Sequence, residues 1–262
     1  MSDTAEPLGL VEVGEGPPLV AVHGAFSGGR LTFEGVARRW GRRSRVLVVD
    51  RPGFERSPGP EAPIGEQAAR LLATIDQHAD GGPVDALGTS FGGLVVLRAV
   101  QERPAAFRSL IIVETAAIDL TPSDMVEPSR LLRAARAAHE RAGSELEAAF
   151  DELFEVVDPA LMAALAPLYR RGDPGLAMLP GDLAIWLARL DRAALADAVS
   201  DDPPIPVTTV SGSTSHPAFR TFGACTAAAL FGQHHVIDGA GHAAHLHPRF
   251  PDVLNAHLDA LE

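Results

Sequence analysis

Val84-Asp85-Ala86-Leu87-Gly88-Thr89-Ser90-Phe91-Gly92-Gly93-Leu94-Val95-Val96-Leu97 runs from a short buried-strand pattern into a helical one, with only the six residues Gly88 to Gly93 between them. A strand that turns this tightly into a helix can hold the residue at the turn in a strained conformation, which is the context of a nucleophile elbow. Gly88 and Gly92 let neighbouring backbones approach, so the hydroxyl of Ser90 stands clear of the sheet. The helix that follows presents its positive N-terminal end to any negative charge developing there. GxSxG alone is a weak pattern and a Gly-Ser turn can be purely structural; the strand before it and the helix after it favour the chemical reading.

Similar apolar runs bounded by Gly, Pro or Asp recur on both sides: Leu8 to Val13, Leu19 to Val22, Val46 to Val49, Leu110 to Val113, Val207 to Val210 and His235 to Ile237. Each fits a buried strand, and helical patterns over 31–40, 65–79, 91–103, 217–230 and 249–261 alternate with them. The alternation predicts an α/β fold, a mainly parallel sheet of about seven strands with helices on both faces. Between about Asp119 and Pro204 the rhythm breaks. An Ala/Leu/Arg-rich stretch punctuated by Pro122, Pro128, Pro159, Pro167, Pro174 and Pro180 contains no strand pattern. It is expected to form a helical insertion over 119–204 into a core made of 1–118 and 205–262.

Two more loops fall at strand exits. His23-Gly24-Ala25-Phe26 follows Leu19 to Val22, and in a parallel sheet that exit shares an edge with Ser90. The backbone N–H groups of Ala25 and Phe91 are therefore candidates for an oxyanion hole. His23 itself reads as a brace for the loop. Gly239-Ala240-Gly241-His242 follows the last strand, and His242 is the candidate base, because an unassisted serine hydroxyl is a weak nucleophile at neutral pH. A metal site built on His242, His245 and His247, with His234 and His235 nearby, is the rival. It lacks an Asp or Cys at ligand spacing.

Composition removes whole classes of chemistry. The chain has 262 residues, and all 22 of its basic residues are Arg. Without lysine there is no Schiff base, no P-loop and no lysine general base. The net charge is −12, and Arg38, Arg39, Arg42, Arg43 and Arg45 do not amount to a positive face, so nucleic acid is not an expected partner. One cysteine, Cys225, excludes an internal disulfide. Neither a signal peptide nor a membrane span is evident, which predicts a cytoplasmic protein without a membrane partner. The expected partner is a small-molecule substrate, and a homodimer is admissible.

The pattern resembles the alpha/beta-hydrolase family over nearly the whole chain. Gly14-Glu15-Gly16-Pro17-Pro18 leading into His23-Gly24 looks like that family's opening, Asp50-Arg51-Pro52-Gly53-Phe54-Glu55-Arg56-Ser57 like its next strand exit, and Gly241-His242 like its base loop. The resemblance implies Ser90 as nucleophile, His242 as base, the Ala25 and Phe91 amides as oxyanion hole, the insertion as a cap, and no cofactor or metal. It implies a structural role for Asp50. Only one strand precedes Gly14, so the first strand of an eight-stranded family sheet is expected to be absent.

The chain departs from the family at the acid. After the strand Val207 to Val210, where most capped members carry Asp, it has Ser211-Gly212-Ser213-Thr214-Ser215. Some relatives, such as the haloalkane dehalogenases, place the acid one strand earlier, and here Glu114 closes the strand Leu110 to Val113 on the same edge as Ser90. The order Ser90, Glu114, His242 also keeps nucleophile, acid and base in sequence. Glu114 is the expected acid, with Asp119 and Asp238 as alternatives. Dehalogenation does not follow, since it needs a carboxylate where this chain has Ser90. Phe26, Phe150, Phe154 and Trp186 are candidates for the substrate pocket. The expected activity is a carboxylic-ester or lactone hydrolase. A cofactor-free lyase, cyclase or acyltransferase of small-molecule biosynthesis and a binding protein without turnover are the alternatives.

Overall fold

A computed structural model of the chain describes residues 5–25, 27–142, 148, 163 and 177–262. The described strands are β1 (Leu10–Val13), β2 (Pro18–Val22), β3 (Arg45–Val49), β4 (Val84–Thr89), β5 (Phe107–Val113), β6 (Val207–Gly212) and β7 (Gln233–Ile237). The principal described helices are α1 (Gly35–Trp40), α2 (Ile64–His78), α3 (Phe91–Glu102), α4 (Val126–Ala142), α5 (Leu179–Trp186), α6 (Arg192–Ser200), α7 (Pro217–Ala229) and α8 (Phe250–Asp259). The pattern at 31–40 resolves into a π-helical turn, Arg30–Glu34, running into α1. Among the described residues, 119–204 contributes helices and no strand. Asp191 caps α6, accepting from the amides of Ala193 and Ala194.

The seven strands form one sheet in the order β1-β3-β2-β4-β5-β6-β7, parallel throughout except for β1, which pairs antiparallel with β3. Period-two alternation sorts the side chains. Leu19, Ala21, Val46, Val48, Leu87 and Ile111 pack on one face with Phe33, Trp40, Phe250 and Leu254, under α1 and α8. Val20, Val22, Leu47, Val49, Leu110 and Ile112 pack on the other with residues of α2, α3 and α7. Both faces are covered, which is why these strands read as continuous apolar runs.

The strand order reverses at β2, which has β3 on one side and β4 on the other. Such a switch point opens a crevice beyond the carboxyl ends of the strands, because the connections on its two sides leave in opposite directions. Val22 pairs with Gly88, so His23-Gly24-Ala25 and Thr89-Ser90 emerge side by side into it. Asp50 braces the neighbouring exit: Oδ1 accepts from the Gly29 amide at 2.6 Å, and Oδ2 from the Arg56 amide and guanidinium at 3.1 and 3.0 Å. The arginines near α1 are spread among acids. Arg43 pairs with Asp259 and Glu262, and Arg45 with Glu12 and Asp80. No described helix is long and apolar enough to cross a membrane.

Candidate active site

Ser90 occupies the turn between β4 and α3 at φ 51°, ψ −121°, a left-handed backbone that a residue with a side chain rarely adopts. Three contacts impose it. The Ser90 amide donates to Val113 O at 2.8 Å, the Thr115 hydroxyl donates to Ser90 O at 3.0 Å, and Gly92 lies so close to β2 that a Cβ there would overlap the carbonyl oxygens of Val22 and His23. Gly24 is just as constrained from the other side. A Cβ on it would sit 2.9 Å from Ser90 Cβ and 3.6 Å from its Oγ. The peptide joining Gly24 to Ala25 thus runs beside the serine, and the Phe91 amide, in the first turn of α3, has no intrahelical acceptor to claim it.

His242 lies beyond β7, with Nε2 3.2 Å from Ser90 Oγ and Nδ1 3.0 Å from Glu114 Oε2. A carboxylate has no proton to give, so Nδ1–H donates to it and Nε2 is left bare toward the serine. The ring of Phe219 from α7 packs against the imidazole, centroids 4.4 Å apart, and limits its tilt. His242 is buried, which excludes most competing water from these bonds.

Glu114 leaves β5 at φ 50°, its amide bound to Val210 O at 2.9 Å. Its carboxylate is buried and accepts from three directions: the Gly212 amide on Oε1 at 2.6 Å, the Ser215 hydroxyl on Oε2 at 2.6 Å, and His242. The end of β6 and the loop after it, which offer no carboxylate of their own, therefore supply two donors to one that reaches them from β5. Asp119 and Asp238 are engaged elsewhere. Asp119 accepts from the Leu190 amide and pairs with Arg189, and Asp238 accepts from the Ser213 hydroxyl.

The remaining histidines do not converge on a metal. His23 is buried, accepts from the Arg51 amide at Nε2 and donates from Nδ1 to Gly24 O, and burial, then Arg51, hold its pKa well below the ordinary value. His245 packs against Phe33, and burial, then His242, push its pKa down to about 3. Among the described residues no three His, Cys, Asp or Glu side chains gather as a metal ion would require.

Of the pocket candidates, Trp186 of α5 meets the Phe91 ring edge-on at 5.7 Å, directly beside the elbow. Phe26, Phe150 and Phe154 lie outside the described residues. Sequence reasoning missed Phe219, Gly212, Ser215 and the pairing of Arg51 with Asp182. The side chains of Arg51 and Asp182 are fully buried, and Asp182 meets the guanidinium at Nη2. Glu61, 3.9 Å from Nη1, completes that cluster. Burial, then the neighbouring Asp182 charge, raise the Glu61 pKa to about 9, so its carboxyl is protonated at neutral pH and hydrogen-bonds Asp182. Buried charges in a sequence mark no partner, and no local signal points to this pair.

A family model described as the alpha/beta hydrolase family matches residues 19–250. Polyketide synthase ThaQ of Burkholderia thailandensis is 32% identical over 215 residues, 79% of this chain but 10% of that protein. A pimeloyl-[acyl-carrier protein] methyl ester esterase of Chromobacterium violaceum is 31% identical over 144 residues, 55% of this chain and 52% of the esterase. Among solved structures, a bromoperoxidase from Bacillus anthracis superposes with a TM-score of 0.75 at 18% identity, covering 95% of this chain and 94% of that one. The 2-hydroxy-6-oxo-6-phenylhexa-2,4-dienoate hydrolase of Rhodococcus sp. strain RHA1 gives 0.70 at 18%, covering 96% and 99%. At such identities the likeness is one of fold.

Proposed function

This chain belongs to the alpha/beta hydrolase family, and we propose that it hydrolyses a small-molecule carboxylic ester or lactone through an acyl-enzyme on Ser90. The observation that carries the reading is the continuous run from Ser90 Oγ through His242 to the buried Glu114 carboxylate, at 3.2 and 3.0 Å. In this scheme Nε2 of His242 takes the hydroxyl proton as Oγ attacks the carbonyl carbon. Glu114 stabilises the imidazolium, and the Ala25 and Phe91 amides receive the oxyanion. His242 then protonates the leaving alcohol and activates the water that frees the acid. Every proton has a protein group to hold it, so the scheme calls for no cofactor. Residues 119–204 would act as a cap, with Trp186 beside the acyl group.

Esterase relatives support an acyl ester as substrate. The match to a polyketide synthase over 79% of the chain favours a second reading, in which a hydroxyl acceptor replaces water and the acyl-enzyme is resolved by transfer or cyclisation. Both readings share Ser90. Labelling with a fluorophosphonate, followed by hydrolysis of 4-nitrophenyl esters of graded length, lactones and amides, tests them together. An adduct at Ser90 and activity abolished in Ser90→Ala are expected. Absence of the adduct in folded protein refutes both, and labelling with products that appear only when an alcohol acceptor is added selects the second.

A further inference from the structure

One nitrogen of a buried arginine touches both the loop beside Ser90 and a helix of the segment between β5 and β6. Arg51 Nη2 donates to Gly24 O at 3.1 Å and also to Asp182 Oδ1 of α5. Nη2 carries two hydrogens, fixed in the guanidinium plane. The position of the Asp182 carboxylate therefore sets that plane and the direction of the second N–H. Gly24 O also accepts from His23 Nδ1 at 2.8 Å, and the Arg51 amide in turn donates to His23 Nε2 at 2.9 Å. Arg51 thus holds this carbonyl directly and through the imidazole.

Gly24 O belongs to the same planar trans peptide as the Ala25 amide, whose N–H points the opposite way. Whatever fixes the carbonyl fixes the amide. Arg51 Nη1 meets Gln67 Oε1 at 3.3 Å and Glu61 at 3.9 Å, and its carbon lies 5.1 Å from the Phe54 ring centroid, so the guanidinium cannot swing independently. We propose that Arg51 is a positioning residue for the oxyanion hole, and that Asp182 couples the seating of α5 to the alignment of the Ala25 amide. The helical segment and the hole are then assembled by one event, and the site reaches full activity only when α5 is docked. The proposal rests on the reading of Ser90 as an acyl-forming nucleophile.

The test compares wild type with Asp182→Asn and with the double variant Arg51→Met/Asp182→Leu. Removing one member of a buried ion pair is strongly destabilising, whereas replacing both by apolar residues of similar volume is tolerated, so the double variant is the one expected to fold. Reactive sites are counted by end-point titration with a fluorophosphonate. Turnover of 4-nitrophenyl butyrate is then expressed per titrated site, and inhibition is measured with phenylboronic acid, whose tetrahedral adduct on serine places an oxygen where the oxyanion would sit. In the double variant kcat per site should fall on the order of 10- to 100-fold, the scale of a misaligned oxyanion donor, with KM nearly unchanged. The inhibition constant for phenylboronic acid should rise by a similar factor, and Asp182→Asn should move both the same way by less. A loss of titratable sites with kcat per site and boronate affinity unchanged shows a purely structural pair and overturns the proposal. So does full activity in the double variant. Wild type that takes up no probe at Ser90 refutes the reading of function itself, a result seen before any variant is compared.

Discussion

Replacing Glu114 by glutamine changes one atom, and the surrounding donors dictate how the amide must sit. The Gly212 N–H points at Oε1 from 2.6 Å and needs an acceptor there, so the glutamine oxygen takes that position and its NH2 takes the place of Oε2. The NH2 then faces Ser215 Oγ and His242 Nδ1. The hydroxyl can rotate to accept, but the imidazole can only meet an NH2 with a bare Nδ1. Its proton moves to Nε2, which faces Ser90 Oγ at 3.2 Å and can no longer take the serine proton. A wrong tautomer of this kind lowers kcat by about 10⁴ where it has been measured in a serine–histidine–acid site. At about 1.4 kcal/mol per tenfold, that is ~5 kcal/mol of barrier. The assay is steady-state hydrolysis of 4-nitrophenyl butyrate, with thermal unfolding to show that the variant is folded. A Glu114→Gln enzyme within tenfold of wild type refutes the reasoning, most sharply if Asp119→Asn or Asp238→Asn loses the activity instead.

Three further outcomes are expected. Ser215→Ala removes a buried hydroxyl that donates to Glu114 Oε2 at 2.6 Å; a bond to a charged acceptor contributes about 1.5–3 kcal/mol, so the melting temperature should drop by several degrees and kcat by about tenfold. Gly92→Ala forces a methyl group onto the carbonyl oxygens of Val22 and His23, and should destabilise the fold by about 3 kcal/mol or more in denaturant unfolding. Stability should also bend with pH in two opposite senses. Folding raises Glu61 from 4.5 to about 9, so the folded chain keeps a proton that the unfolded chain has released, and stability falls as pH climbs through that window. Folding lowers His245 from 6.5 to about 3, so the unfolded chain binds the extra proton and stability is lost as pH drops through that one. Melting temperatures between pH 4 and 10 should show a Glu61→Gln variant with a flatter decline above about pH 6.5 and, between about 4.5 and 6.5 where the two windows overlap, a steeper loss on acidification, because Glu61 no longer offsets His245.

The features legible in the sequence are those that one segment encodes by itself. The strand, the turn glycines and the helix around Ser90 are contiguous, whereas Glu114, at the end of an apolar run on the same edge, is picked out with the help of the family resemblance, in which some relatives place the acid one strand earlier. The alternation of apolar runs and helical patterns carried the sheet and its two covered faces. Hydrogen-bond partners were not legible. Glu114 and Gly212 are 98 residues apart, Arg51 and Asp182 131, and no local pattern records that a backbone amide or a carboxylate from a distant loop will arrive at a given oxygen. For the same reason the run Ser211 to Ser215 reads as a vacancy, whereas in space its Gly212 amide and Ser215 hydroxyl donate to the Glu114 carboxylate. The π-helical turn at Arg30–Glu34 was also hidden, because its apolar spacing differs too little from that of an α-helix over five residues.

Ser90 and Glu114 share a backbone habit that ordinary side chains avoid, φ 51° and φ 50°, and each sits at the tip of a strand in the middle of the sheet. Such conformations cost about 1–3 kcal/mol apiece, against a net stability of about 5–15 kcal/mol for a folded domain. The most durable sequence for this backbone is therefore not the one that carries the proposed chemistry: glycine at position 90 would relax the turn and remove the proposed nucleophile in the same stroke. Selection for thermal robustness alone would erode this centre, and an engineer who stabilises the protein should leave these two strained residues untouched.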